Sequence, residues 1–348
     1  MFNEENEKVL ADVKNITGEN LWCNVPFTEI SIFPKGDVYT CCPDFVNGYK
    51  WGNIYENTYD EIFNGKSAIA FRQSIINSTF DFCNLNMCVF KNTLKNDLRF
   101  KHFSNAQHQT LKRLNLNLDE TCNVRCVSCR DNMIRESEET FLKKKNAFEN
   151  IIMPILQNNN IEEIFIDGCG EVFVSKLSKY IIKKITKNFP SIKFIIITNG
   201  TLFNEKMYNS LNLKNKVSHV NISIHAATKE TYEKIVRGGN FDKLKSNIDF
   251  LVSLKNKGEI ENINFNFVVS SINYKEMIDF QKWANDLSVN THFSSLKKWT
   301  GTDMCNNNYL QYTVFNPEHP EYNEFKKIVK NKIFKSKNCL MSDNLANN

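Results

Sequence analysis

Cys122-Asn123-Val124-Arg125-Cys126-Val127-Ser128-Cys129, preceded by Leu114-Asn115-Leu116-Asn117-Leu118, decides how the rest of the chain is read. Leu114, Leu116 and Leu118 alternate with polar residues, which predicts a β-strand, and the cysteines come where that strand ends. Thiolates are soft ligands suited to an iron–sulfur cluster, and the spacing C-x3-C-x2-C lets three of them converge. Three ligands on a four-iron cube leave one iron open to chemistry, whereas a saturated site is structural or an electron relay. Zinc is the other reading of a short cysteine group. A tetrahedral zinc site needs a fourth ligand, and neither His102 nor His108 stands at finger-like spacing.

The spacing resembles the signature of the radical S-adenosylmethionine (SAM) superfamily. That resemblance implies a 4Fe-4S cluster on Cys122, Cys126 and Cys129, whose open iron chelates the amino and carboxylate groups of SAM. One departure concerns the residue before the third cysteine, commonly aromatic in the superfamily and here Ser128.

The 348 residues are enough for two domains, and 41% hydrophobic with 24% charged residues is ordinary for a soluble globular protein. The net charge of +5 comes from scattered lysines. Only Lys143-Lys144-Lys145 forms a run, which reads as a solvated helix face and not as a nucleic-acid footprint. The segment from Met1 to Leu10 is acidic and lacks the basic and apolar regions of a secretory signal. No apolar run approaches the length of a membrane span. Eleven cysteines without such a signal indicate metal ligation in a reducing, cytoplasmic setting.

Residues 1–105 hold a second cysteine group. Ile30 and Ile32 lead to a turn at Pro34-Lys35-Gly36-Asp37, and Val38 to Pro43 reads as the returning strand, carrying Cys41 and Cys42. Gly52-Asn53-Ile54, a helical segment at Tyr59 to Asn64, and the closing pair Cys83 and Cys88 follow. The ordered set, opening at Cys23 with Pro26-Phe27, resembles the SPASM domain, an auxiliary-cluster module found beside many radical SAM domains. It implies a second, auxiliary 4Fe-4S cluster on Cys23, Cys83, Cys88 and one of Cys41 and Cys42. Neighbouring strand residues face opposite ways, so both would not serve one cluster, and Cys41 is taken as the ligand. The module stands before the barrel, whereas in well-known members it follows it. A zinc ribbon or knuckle is the structural alternative.

From Leu111 to Leu296 six strand–helix units alternate, which predicts an α/β fold with a partial (β/α)6 barrel over residues 106–300. Three strands carry polar alternate faces: Asn115/Asn117/Asp119, Asn221/Ser223/His225 and Asn264/Asn266. An incomplete barrel around a polar cofactor and substrate could use such faces, which a filled barrel could not bury unpaired. Asp167-Gly168-Cys169-Gly170-Glu171 resembles the superfamily's Gly-Gly-Glu stretch, which implies SAM contacts at Gly168, Gly170 and Glu171. By family position Ser223, His225 and Asn273 are further SAM contacts, although a structural histidine and a plain cap are equal readings of the last two. Thr198-Asn199-Gly200-Thr201 reads as a turn typical of the family. Thr228 to Phe241 resembles the stretch after the fourth strand of SPASM-type enzymes, with Arg237-Gly238-Gly239 breaking a helix.

Residues 301–348 read as loop, helix and polar tail. Cys305 and Cys339 fit no motif, although Cys305 could approach the active site.

The resemblance implies an enzyme that cleaves SAM reductively to a 5′-deoxyadenosyl radical and removes a hydrogen atom from its substrate, in an oxidoreductase-type reaction. A peptide or protein side chain, oxidised or crosslinked, is the first substrate class. A small molecule such as a sugar or nucleoside is the second, and a non-enzymatic zinc-binding module is the remote alternative. An electron donor such as flavodoxin or ferredoxin is an expected partner. No residue is assigned as the catalytic hydrogen donor.

Overall fold

The computed structural model describes residues 2–17, 21–85, 87–88, 110–166, 168–298, 309–342 and 345. His102, His108, Asp167 and the segment 301–308 with Cys305 lie outside the described residues. In chain order the strands are β1 (Glu29–Ile32), β2 (Asp37–Tyr39), β3 (Gly52–Asn53), β4 (Arg113–Leu116), β5 (Arg125–Cys126) and β6 (Glu163–Ile166). They continue with β7 (Lys193–Thr198), β8 (Val217–Ser223), β9 (Val236–Arg237), β10 (Ile260–Val269), β11 (Asn290–Ser295) and β12 (Cys339–Met341). Two compact units form, one from residues 1–118 and 137–165, the other from 119–136 and 166–348.

In the first unit the strand order is β6-β4-β1-β2-β3. β1 and β2 make the antiparallel hairpin expected from Pro34-Lys35-Gly36. Gly36 closes it at φ +86°, where a Cβ would lie 2.5 Å from the Tyr55 ring, so the turn accepts only glycine. β2 stops at Tyr39, short of the returning strand predicted to Pro43, and the chain bends before a 3-10 turn at Pro43–Val46. Cys41 and Cys42 therefore sit in a bend, and strand alternation does not separate them. β1 also pairs in parallel with β4, Ile30 opposite Leu114 and Ile32 opposite Leu116, all four buried. Arg113 on β4 bridges Glu29 and Glu163, half-buried charges that pair across the strands. The helix Tyr59–Phe63 starts at a Thr58/Glu61 capping box. On the next helix, Lys66–Ile76, the Arg72 guanidinium lies over the rings of Phe63 and Trp51 and donates to the carbonyls of Pro26 and Phe63 at 2.7 Å. Burial, with no carboxylate partner among the described residues, pulls its pKa down to about 10.

In the second unit β7, β8, β10, β11 and β12 run parallel, each to its neighbour. One face is apolar: Val220, Ile222, Phe265, Phe267 and Phe293 are fully buried, with Phe280 of the helix Met277–Asp286 packed edge-to-face 4.8 Å from Phe267. The alternate residues form a half-buried polar face. Four of its helices start at side-chain caps, Ser175, Asn204, Thr228 and Asn240 each accepting from a backbone N–H of the first turn. Gly258, at φ +74°, follows the helix Phe241–Asn256. The barrel strands of the six predicted units are β4, β6, β7, β8, β10 and β11, which makes the fold a mixed α/β partial barrel. No helix among the described residues is long and apolar enough to cross a membrane.

Candidate functional site

The loop from Asp119 to Arg130 is pinned from many sides, and each pin comes from the second unit. Asp119, 2% exposed, accepts from the Thr121 N–H at 2.7 Å and from the Ser175 hydroxyl, so the carboxylate that starts the loop also holds the cap of the helix Lys176–Asn188. Asn123 donates to Thr201 Oγ1 at 3.0 Å and accepts from Asn199 Nδ2 at 2.9 Å. Thr198-Asn199-Gly200-Thr201 is thus more than a turn. Its side chains grip the loop between the first two cysteines. β5 pairs with β9, setting Cys126 opposite Val236, and Val127 N–H donates to Ile235 O at 2.9 Å. Within the loop, Cys129 N–H turns back to Cys126 O at 2.9 Å.

The Gly-Cys-Gly-Glu turn packs against the same loop. A Cβ on Gly170 would lie 2.6 Å from Asp119 O and 2.7 Å from Thr121 O, so this glycine is required by backbone-to-backbone contact. Glu171 N–H donates to Thr121 O at 2.8 Å. Its carboxylate is 1% exposed and takes Thr198 Oγ1–H and Asn199 N–H, both at 2.7 Å, with Phe173 N–H at 3.3 Å. Burial lifts its pKa to about 7 although these donors pull the other way. Glu171 is thereby a strut between the turn and the end of β7. Gly168 is exposed.

His225 follows β8 in the left-handed region at φ +66°. Its Nδ1 accepts from the Val268 N–H at 3.1 Å, which places the proton of the neutral ring on Nε2. That Nε2–H has no partner among the described residues. Burial pulls the ring's pKa down to about 4, so it stays neutral near pH 7. Asn273 is 1% exposed and spends its whole amide on the fold: Oδ1 accepts from Ser270 N–H and Oγ–H, and Nδ2 donates to His225 O and Val268 O, both at 2.8 Å. The Ser223 hydroxyl is half-buried on the polar face, without a partner among the described residues.

The thiols of Cys122, Cys126 and Cys129 act on one another electrostatically, and burial pushes Cys126 up to about 12. In the first unit Cys23, Cys41, Cys83 and Cys88 form a second mutually acting group. Cys23 feels Cys83 and Cys88, Cys41 feels Cys23 and Cys88, and burial holds their thiols well above the ordinary range. Cys42, the chain neighbour of Cys41, acts on it as well. Among the described residues no three His, Cys, Asp or Glu groups close on one point as the ligands of a single metal ion would. A cube takes each thiolate on a different iron, and the chemistry of both donor sets suits one, three thiols on one loop and four gathered from residues 23–88. The sequence reading missed Asn6 on the N-terminal helix Phe2–Thr17. It is 4% exposed, donates to Cys83 O at 2.8 Å and Phe80 O at 3.2 Å, and accepts from Leu85 N–H at 3.2 Å, fixing the turn of the closing pair. A lone asparagine in an acidic helix carries no signal of such a role. Asn123 and Arg130 were missed as well, although both adjoin the cysteines.

A family model described as the radical SAM superfamily matches residues 116–284, and one described as an iron–sulfur cluster-binding domain, SPASM, matches residues 23–89. The chain belongs to the radical SAM superfamily. Its SPASM domain is N-terminal to the radical SAM domain, and its cofactors are SAM, a 4Fe-4S cluster and an auxiliary iron–sulfur cluster. It is 27% identical to a GTP 3′,8-cyclase of Lactiplantibacillus plantarum over 57% of this chain and 62% of the cyclase. It is 25% identical to the FeMo cofactor biosynthesis protein NifB of Methanocaldococcus jannaschii over 53% of this chain and 67% of that protein. The chain thus spans less than two thirds of the cyclase. Among solved structures, native anSMEcpe with bound AdoMet is similar at TM-score 0.37 and 21% identity over 53% of this chain and 51% of that one.

Proposed function

We propose that this radical SAM enzyme removes a hydrogen atom from a small polar molecule held at the half-open face of β8, β10 and β11. The observation that carries the reading is the set of side-chain rows on that face. His219 stands beside Asn262, Asn221 beside Asn264 and Asn290, and Ser223 beside Asn266 and His292, all half-buried. Asn290 donates to Asn264 and Asn264 to Asn221, each at 2.9 Å, so the amides are held in order before any ligand arrives. Such a wall suits a hydrogen-bonding ligand, a sugar or a nucleoside, better than an apolar side chain. Oxidation or crosslinking of a peptide side chain is the second reading, supported by the auxiliary domain, which many peptide-modifying family members carry.

In this reading Cys122, Cys126 and Cys129 hold the 4Fe-4S cluster, and Cys23, Cys41, Cys83 and Cys88 hold the auxiliary one. SAM, when bound, supplies the hydrogen-abstracting group. The residues expected at SAM divide by what they do. Ser223 Oγ and His225 Nε2–H offer free hydrogen-bonding groups. Glu171 and Asn273 act through what they hold, the first bracing the Gly168–Gly170 turn and the second fixing the backbone of His225. The auxiliary cluster either takes an electron from the substrate, giving a net oxidation, or binds the substrate. A flavodoxin or ferredoxin is the proposed reductant and the cytoplasm the proposed compartment.

Anaerobic turnover with SAM and reductant, against a panel of nucleosides and sugars and against short peptides, tests the choice. Substrate-dependent 5′-deoxyadenosine with a changed small-molecule mass is expected. Asn264→Leu should then raise KM about tenfold, roughly the 1.4 kcal/mol of one lost hydrogen bond, with iron content unchanged. A mass change in a peptide alone would overturn the small-molecule reading.

A further inference from the structure

Arg130 and Tyr232 both adjoin the three-cysteine loop, and neither is explained by ligation of the cluster or by contact with SAM. Arg130 follows the third cysteine directly. Its Nε donates to Cys129 Sγ at 3.4 Å, Nη1 to Glu120 O at 2.5 Å and Nη2 to Cys169 O at 2.5 Å. The last two bonds tie the start of the loop to the Gly-Cys-Gly-Glu turn and fix the guanidinium in place, so its charge is held at Cys129. Arg130 is also the cation among the largest influences on the thiols of Cys122 and Cys126.

Tyr232 approaches from the helix Lys229–Ile235, which runs directly into β9 and so onto the strand carrying Cys126. The side chain is fully buried, yet its hydroxyl has no hydrogen-bond partner among the described residues. Gly239 leaves room for it: a Cβ there would lie 3.0 Å from Tyr232 Oη and 2.8 Å from Cε1. Of the charged groups acting on this hydroxyl, the Cys126 thiol acts most strongly, ahead of Glu171 and Glu233. A buried, unmade hydrogen bond costs about 1–3 kcal/mol, and phenylalanine would avoid that cost at equal size. The hydroxyl therefore stands ready for an acceptor at Cys126.

We propose that Arg130 and Tyr232 are positioning residues that raise the reduction potential of the cluster on Cys122, Cys126 and Cys129, the first by a fixed cation at Cys129, the second by a buried donor at Cys126. One-electron reduction adds a negative charge to the cluster, and both groups stabilise that charge. The inference rests on those three cysteines being the ligands.

The test is a redox titration of the reconstituted full-length protein followed by electron paramagnetic resonance, reading the cluster signal that changes on addition of SAM. Arg130→Gln is expected to lower the potential so that the reduced-to-oxidised ratio at fixed poise falls at least tenfold, which is 59 mV for one electron. Arg130→Lys should recover most of the shift, and Tyr232→Phe should move it the same way by less, with iron unchanged. Unaltered potentials in Arg130→Gln and Tyr232→Phe, each with full iron, would overturn the proposal. Should Arg130→Gln lose iron, Tyr232→Phe decides, a downward shift supporting and no shift refuting. Failure of the ligand assignment looks different: a SAM-responsive signal that survives Cys122/Cys126/Cys129→Ala.

Discussion

The thiols of Cys122, Cys126 and Cys129 lie on one short loop, while those of Cys23, Cys41, Cys83 and Cys88 are gathered from residues 23–88 by a hairpin end, a bend and a closing turn. The short loop is prepared by other side chains: Asp119, Asn123 and Arg130 hold its backbone, Arg130 offsets its charge, and Cys129 is exposed. The gathered group has its backbone held by Asn6 at Cys83 and Leu85 but no cation among the largest charges acting on its thiols. The charges acting on Cys23, Cys41 and Cys83 are other thiols and the carboxylates of Glu29 and Asp81, all of which oppose ionisation. The difference teaches that the first group has a fixed cation at its thiols and one exposed cysteine, whereas the second gathers buried thiols whose ionisation would need a positive charge from outside the side chains around them.

The strongest way to break this comparison is to remove each group in turn. Cys122/Cys126/Cys129→Ala should lower iron from about eight to about four per chain and abolish SAM cleavage. Cys23/Cys83→Ala should remove the other four or so and leave SAM-dependent spectral change at the first cluster. If either variant empties both sites, the groups are not independent.

Acid separates the second unit from the gathered thiols. His225 has a folded-state pKa near 4 against an ordinary 6.5. Between those values the unfolded chain takes up a proton that the folded chain refuses, so stability is complete above pH 6.5 and falls as pH drops towards 4, by about 3 kcal/mol at most. The urea midpoint followed by pH should show this slope, and His225→Asn, whose side chain tolerates a positive φ, should flatten it. An equal slope in the variant would assign the acid sensitivity elsewhere.

Smaller changes sharpen the contrast. Gly170→Ala drives a methyl into Asp119 O and Thr121 O and should cost about 1–3 kcal/mol, with iron lost from the SAM-responsive cluster first. Asn6→Ala should cost about 1–2 kcal/mol by leaving Cys83 O and Leu85 N–H unpaired, with the auxiliary iron more labile to chelator and the SAM-responsive signal intact. Iron release in the opposite order would reverse the comparison.

The partial barrel was legible because each parallel strand and its helix repeat one local pattern, apolar alternation followed by helical spacing, from Leu111 to Leu296. The hairpin at Gly36 was local for the same reason, since a few adjacent residues fix it. The strand drawn to Pro43 was overextended, because a run of valine, tyrosine, threonine and cysteine has β character up to the bend at Thr40.

By itself the sequence placed Cys122, Cys126 and Cys129 together on one short loop, since chain connectivity alone keeps those thiols close. Only the tertiary structure decided what surrounds them: Asn123 on the Asn199 turn, Arg130 across to Cys169, Glu171 as a strut, and Asn6 beneath Cys83. A hydrogen bond across dozens of residues leaves no periodicity or spacing to read. Each of these side chains is an ordinary surface type until burial removes water and makes its partner obligatory.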